Sequence, residues 1–262
     1  MNSLIDSHCH IDFPPFAANR DELLQDCKRK GMSAILVPGV TFSQWYGMSA
    51  LIEQFSDHSL FPELLPAYGL HPCFMAEHES EHLHRLEAQL GSGAVAVGEI
   101  GLDTFHGDSN LDEQICLFKS QLLIAGNHSL PVVIHSRKTQ DLILKFIREC
   151  RFQFGGIMHA FSGSLQQAQQ AIDLGFKIGF GGAATYERAN RLRRILRALP
   201  RESIVFETDA PDIPPSFDRS NPNSPLNLFR IVEILAEVRG EPVEDLMTYS
   251  TRNVHELLKI AS

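Results

Sequence analysis

His8-Cys9-His10 ends the first apolar run of this chain, and four later apolar runs end in Glu99, His135, His159 and Asp209. In an extended strand, side chains two apart point to the same side, so His8 and His10 can grip one cation together while Cys9 turns away. A lone His-x-His is a weak pattern; metal-capable side chains recurring at successive strand ends give it force. Four imidazoles and two carboxylates form a mixed nitrogen and oxygen donor set. It suits zinc, manganese, nickel, cobalt or iron(II), with magnesium less natural beside histidine. Six donors exceed the needs of one tetrahedral zinc. They fit two divalent ions held roughly 3.5 to 4 Å apart, with Glu99 as the expected bridge. Two such ions activate water for hydrolysis. Asp209, beside that water, is expected to orient it and take its proton, to act purely as a ligand, or to do both.

Residues so far apart in sequence must be gathered by the fold. Short apolar runs occur at Leu4-Ile5, Ile35 to Val37, Leu64 to Tyr68, Ala94 to Val97, Pro131 to Ile134, Gly156 to Met158, Phe176 to Gly179 and Ser203 to Phe206. Between them lie amphipathic stretches such as Arg20 to Lys30, Glu81 to Leu90, Leu111 to Ala125, Thr139 to Cys150, Leu165 to Leu174 and Arg188 to Leu199. Near-continuous apolar strands alternating with helices predict a parallel sheet covered by helices. Eight such units predict an α/β fold of the TIM type, a (β/α)8 barrel, with the site at the C-terminal ends of the strands. An open doubly wound sheet has its crevice at one switch point and does not collect strands one, four, five, six and eight. The proline-rich stretch Pro211 to Pro225 reads as a long loop after the last strand, and Val243 to Ile260 as two helices closing the barrel. No repeat, linker or low-complexity tract divides residues 1–262, so one domain is expected.

The 44% hydrophobic content of the 262 residues supports a substantial core. A net charge of -9 argues against a broad basic face for duplex binding, so a phosphate-bearing substrate has to be received locally, at bound cations. Five scattered cysteines without a Cys-x-x-Cys pair exclude a zinc-finger arrangement and suit a reducing cytoplasm. Met1 to Asp6 reaches a charge at once, and no later stretch approaches the roughly 20 apolar residues of a membrane span. Neither membrane insertion nor an obligate protein partner is expected.

Ile5-Asp6-Ser7-His8-Cys9-His10-Ile11-Asp12, Gly69-Leu70-His71-Pro72, Val97 to Asp103, Ile134 to Arg137, His159 to Ser164 and Glu207-Thr208-Asp209-Ala210-Pro211 resemble, in order and spacing, the signature blocks of TatD-like metal-dependent hydrolases of the amidohydrolase superfamily. Asp12 to Phe16 and Pro222-Asn223-Ser224-Pro225 further resemble its YjjV-like branch. The resemblance implies that His8, His10, Glu99, His135, His159 and Asp209 are metal ligands. It also implies a metal-dependent deoxyribonuclease acting from the 3′ end. The same chemistry on a carbonyl carbon, hydrolysing an amide or an ester such as an aminoacyl ester, is the competing activity. Cys73-Phe74 and Pro222-Asn223-Ser224-Pro225 depart from the common family pattern, in expected substrate loops.

Four further residues are expected around the substrate. Asp103 is placed to orient a ligating imidazole, and Arg137 to bind a phosphate in bidentate fashion. His71 and Ser136 complete the set. Ser162 or Ser164 is expected to cap a helix or to present its free N–H groups to an anion. His78, His82 and His84 read as solvated, and His58, His106, His128 and His255 carry no partner pattern. Trp45, Tyr46 and Tyr186 are available to stack on bases, although rings beside helices more often pack.

Overall fold

A computed structural model describes residues 3–105 and 107–260 of the chain. Met1, Asn2, His106, Ala261 and Ser262 lie outside the described residues. Strands and helices alternate: β1 (Leu4–Asp6), α1 (Arg20–Lys30), β2 (Met32–Pro38), α2 (Phe42–Gln54), β3 (Glu63–Tyr68), α3 (Glu81–Leu90), β4 (Ala96–Asp103), α4 (Leu111–Asn127), β5 (Val132–Arg137), α5 (Gln140–Glu149), β6 (Gly156–Met158), α6 (Leu165–Asp173), β7 (Phe176–Phe180), α7 (Asn190–Ala198), β8 (Ile204–Phe206), α8 (Asn227–Arg239) and α9 (Val243–Leu258). The strands form one 8-stranded sheet in sequence order, and every neighbouring pair is parallel. This is the expected (β/α)8 barrel.

Alternate strand residues divide the core in two. Ile5, Ala34, Leu36, Leu65, Val133, Ile157 and Val205 form an inner cluster, while Ile35, Val37, Leu64, Ile134, Ile178 and Phe206 join the larger layer shared with the helices. Val254 and Leu258 of α9 belong to the inner cluster, so α9 stoppers the end of the barrel remote from the strand C-termini. Val243 to Leu258 is one helix and not the expected two: nothing inside it interrupts helical geometry. The break comes earlier, where Gly240 takes a left-handed φ of 69° at the end of α8 and Pro242 precedes α9. Helix α2 was not among the amphipathic stretches, because Gly47 and scattered aromatics dilute its pattern. Burial of Trp45, Met48 and Leu51 against the sheet, with a Thr41/Gln44 capping box, makes it a helix all the same. The stretch Pro211 to Pro225 is a loop, as expected.

The barrel closes between its first and last strands through the segments that carry the chemistry. Beyond β1 and β8, Ser7 N donates to Phe206 O (3.0 Å), Asp209 N to His8 O (2.8 Å) and His10 N to Ala210 O (2.8 Å). The buried Asp6 carboxylate rivets this seam, accepting from Thr208 N (3.0 Å), Thr208 Oγ1 (2.6 Å) and His8 N (3.2 Å). His8, His10 and Asp209 are thus fixed by the bonds that shut the barrel.

Candidate metal centre

Local backbone irregularity aims the central carboxylate. Val97 pairs with Val132 and Ile100 with Ile134, so three steps along β4 match two along β5 and the strand bulges at Gly98-Glu99. Glu99 is thereby turned into the mouth, where it is 2% exposed. Its two oxygens serve different sets of imidazoles. Oε2 lies 3.2 Å from His8 Nε2 and 3.5 Å from His10 Nε2. Oε1 lies 3.0 Å from His135 Nδ1 and 3.2 Å from both His159 Nε2 and His71 Nε2. Asp209 Oδ1 completes the first set, 3.4 Å from His8 Nε2 and 3.8 Å from His10 Nε2. All six donors anticipated from sequence therefore meet at one point, Glu99 and His135 from within β4 and β5 and His8, His10, His159 and Asp209 from just beyond β1, β6 and β8.

Hydrogen-bond partners decide which nitrogens are free to bind a cation. The Pro38 carbonyl, which can only accept, lies 3.2 Å from His10 Nδ1, so Nδ1 carries the proton and Nε2 turns its lone pair inward. His135 Nε2 lies 2.9 Å from Asp103 Oδ2, leaving Nδ1 to face Glu99. Asp103 thus stands behind His135 in the orienting position expected for it. His71 differs: its Nδ1 accepts from Cys73 N (3.1 Å), so its Nε2 carries a proton and donates to Glu99. His71 is placed to steady the central carboxylate from inside the cluster.

His10 Nε2, with its lone pair inward, lies 3.2 Å from His8 Nε2 beside the carboxylates of Glu99 and Asp209, a donor set that calls for positive charge between its members. The electrostatics say the same. Burial alone would raise the Glu99 carboxyl, but the imidazoles of His71, His159 and His8 hold it well below the ordinary carboxylate range. Burial pushes Asp209 up to about 7 and His71 down to about 4. His159 is held well above the usual histidine range, because Asp209 and Glu99 outweigh its desolvation. The protein alone balances its buried carboxylates with protonated imidazole, a role a divalent cation fills better. Donor atoms of His8, Glu99 and His159, and of His8, His10 and Asp209, lie within 4.8 Å of one another, as a metal requires. A third such group joins Cys73 to His71 and His135, and Cys73 has no counterpart in the sequence-derived set.

Two buried side chains behind the donors escaped the sequence reading. Glu207 Oε1 accepts from Ala160 N (2.5 Å) and lies 3.5 Å from His159 Nδ1. Its signal was its spacing, two residues before Asp209 in extended chain, as Asp6 stands two before His8. Asn223, expected in a substrate loop, is 1% exposed. Its Nδ2 donates to Thr208 O (2.7 Å) and Ile213 O (3.2 Å), tying the loop to the segment that bears Asp209. It is buried where it bridges those two carbonyls across the turn after Asp209, whose φ is 58°.

A cavity of about 780 Å³ opens outward from His135, His159 and Asp209. Arg137 lines it, its guanidinium 3.4 Å above the Phe105 ring, and so does Ser136, whose hydroxyl is 3.1 Å from Thr139 Oγ1. Ser164 is the helix cap of the two serines, accepting from Gln167 N (3.2 Å). Two of the histidines read as solvated are engaged: His78 Nε2 lies 2.9 Å from His71 O, and the His82 ring stacks on Phe42 at 4.6 Å. His84 is exposed. Trp45 is buried and donates to Gly69 O (3.3 Å), whereas Tyr46 is 87% exposed.

The comparisons with known proteins agree with this geometry. Residues 5–259 match the family model of TatD-related DNases. A curated relative from Escherichia coli K12, YjjV, is named an uncharacterised metal-dependent hydrolase. It is 37% identical over 259 residues, covering 98% of each chain. A Haemophilus influenzae relative, named in the same way, is 34% identical over 96% of this chain and 98% of its own. The crystal structure of the Escherichia coli YjjV protein, a TatD homologue, superposes with a TM-score of 0.92 over 98% of both chains. An organophosphorus hydrolase from Deinococcus radiodurans, 12% identical, shares the fold alone, with a TM-score of 0.70 over 98% of this chain and 93% of its own. The chain belongs to the TatD-related DNase family, among relatives named as metal-dependent hydrolases.

Proposed function

We propose that this protein is a hydrolase of phosphodiester bonds in DNA, trimming from the 3′ end, with two divalent ions held between its strand ends. His8, His10 and Asp209 would hold one ion and His135 and His159 the other, with Glu99 available to both. The observation that carries the reading is Glu99, whose two carboxylate oxygens face two different groups of imidazoles at 3.0 to 3.5 Å. Bound divalent ions supply a lowered pKa for water and neutralise charge on a phosphoryl oxygen. The chain does the rest. Asp209 Oδ1 would take the proton of the attacking water. Asp103 and Glu207 orient His135 and His159, and His71 Nε2–H steadies Glu99. Arg137, flat on Phe105 at the cavity wall, offers a planar pair of donors to a phosphate.

Arginine at the cavity wall favours phosphodiester over carboxyl ester, since a neutral carbonyl substrate has no use for it. A cytoplasmic location is part of the same reading, supported by five cysteines that are all free thiols. Among the described residues, no helix is long and apolar enough to cross a membrane. Metal-stripped protein should regain activity with zinc, manganese, nickel, cobalt or magnesium, assayed against single-stranded DNA, a small phosphodiester, a phosphomonoester and a carboxyl ester. Metal analysis should find two ions per chain, and His8→Ala or Glu99→Ala should lower that content together with turnover. Turnover of the carboxyl ester without turnover of either phosphodiester overturns the reading.

A further inference from the structure

The wall of the cavity facing the metal centre carries cations that the hydrolytic groups do not use. Arg188, on the segment that leads into α7, and Arg191, in the first turn of that helix, line it. Tyr186 stands just before them, anchored by its hydroxyl donating to Pro214 O at 3.0 Å. The Arg188 guanidinium lies 5.4 Å from its ring centroid and that of Arg219, from the loop after β8, 6.0 Å. Arg191 donates to Ser162 O at 2.7 Å. Among the described residues, none of these three arginines has a carboxylate within ion-pair distance, whereas Arg85, Arg201 and Arg230 elsewhere on the surface do. Asp212 is the one carboxylate besides Asp209 that lines the cavity.

Arg137, at the end of β5, and Arg188 and Arg191, beyond β7, line the same cavity as the donors His135, His159 and Asp209, and Tyr186 and Arg219 adjoin Arg188. A substrate with a single phosphate, placed at those donors, leaves arginines of this cluster unused. We propose that Arg188 and Arg219, braced on Tyr186 and joined by Arg191, form a second anion subsite. It binds a backbone phosphate of a single-stranded polynucleotide at least one nucleotide from the bond that is cut. The proposal rests on the phosphodiesterase reading above. Single-stranded substrate follows from access: the donors are buried at the base of a cavity of about 780 Å³, a volume suited to a ligand of one or two nucleotides. An aromatic ring beside guanidinium groups is the combination that grips unpaired strands, stacking a base while the cations follow the backbone.

The test uses the full chain in two states. Metal-stripped protein in EDTA is titrated with fluorescein-labelled oligothymidylate by anisotropy, at several salt concentrations. The expected result is that Arg188→Ala/Arg219→Ala weakens binding about ten-fold and flattens the slope of log affinity against log salt by about 0.7 for each phosphate no longer neutralised. Both side chains are exposed, and Arg188→Lys/Arg219→Lys should recover part of the slope. In metal-loaded protein, kcat/KM should rise from dinucleotide to tetranucleotide in the wild type and lose that rise in the double alanine variant. A variant that keeps the wild-type salt slope and length dependence overturns the subsite alone, provided the wild type cleaves bis(4-nitrophenyl) phosphate. Failure of the metal-loaded wild type to cleave both that diester and the oligonucleotides overturns the underlying activity and the subsite with it.

Discussion

Glu207→Gln is the sharpest probe of the metal centre, because it removes one buried charge without changing the side chain's shape. Glu207 is 1% exposed and wedged in a slot whose floor is glycine: a Cβ on Gly179 would sit 2.5 Å from its Oε2, and one on Gly181 3.3 Å from its Cγ. Glutamine fits that slot, and its carbonyl oxygen can still accept from Ala160 N. The substitution takes away the negative charge 3.5 Å from His159 Nδ1, whose proximity makes Nε2 of that ring a better ligand for a cation. Replacing carboxylates behind metal-binding histidines weakens metal binding about 10- to 100-fold. The approach here is long, which places the expected loss at the lower end, about ten-fold or about 1.4 kcal/mol. Stability should fall less. Oε2 has no hydrogen-bond partner, so the amide that replaces it is an unsatisfied donor costing about 1 kcal/mol. Competition against a chromophoric chelator measures the affinity, and urea denaturation in EDTA measures the stability. Unchanged metal affinity in a variant that has lost stability would show that Glu207 merely packs.

Three other perturbations follow from the same geometry. Gly69→Ala places a Cβ 2.6 Å from Gly98 C and 2.8 Å from Glu99 N and O, all backbone atoms that cannot swing aside. It should cost about 1 to 3 kcal/mol in urea denaturation and lower the metal content; a variant that retains both contradicts the close approach of β3 to the bulge. Asp6 is raised by burial from 3.8 to about 7, so its contribution to stability is fully present below about pH 4 and lost as pH rises through 7. Thermal melts of metal-stripped protein should therefore show wild type losing ground to Asp6→Asn between about pH 4 and 7, by about 4 kcal/mol at most; a constant gap refutes the shift. Asn223→Ala strands the Thr208 and Ile213 carbonyls, at about 1 kcal/mol each. Because the loop it ties flanks Asp209, steady-state kinetics should show kcat falling more than KM rises, and a pure KM effect would place Asn223 in contact with substrate instead.

Much of this centre was visible locally. Eight apolar runs, each ending in or near a polar block, predict the parallel barrel, because strands buried on both faces have no room for polar alternation. His8, His10, Glu99, His135, His159 and Asp209 were legible because each follows an apolar run, and a (β/α)8 barrel brings the C-terminal parts of all its strands to one mouth. Less of the supporting structure was legible. Glu207 and Asp6 look like ordinary acids until the partner at the other end of the hydrogen bond is known, and Asn223 resembles a solvated loop residue until the turn it fills is seen.

The division between what local pattern carries and what the fold decides follows from the range of the interactions. Residue type and strand periodicity act over a few positions, and they suffice to mark which side chains can bind a cation. Which nitrogen of His10 faces inward depends on the Pro38 carbonyl, and which oxygen of Glu99 meets which imidazole depends on the bulge opposite β5. The role of His71 depends likewise on the Cys73 amide that sets its tautomer. The cationic wall depends on bringing Arg188 and Arg219 together on one ring across two strand-to-helix loops. Those arrangements are made mostly between residues tens to hundreds of positions apart, and only the closed barrel supplies them.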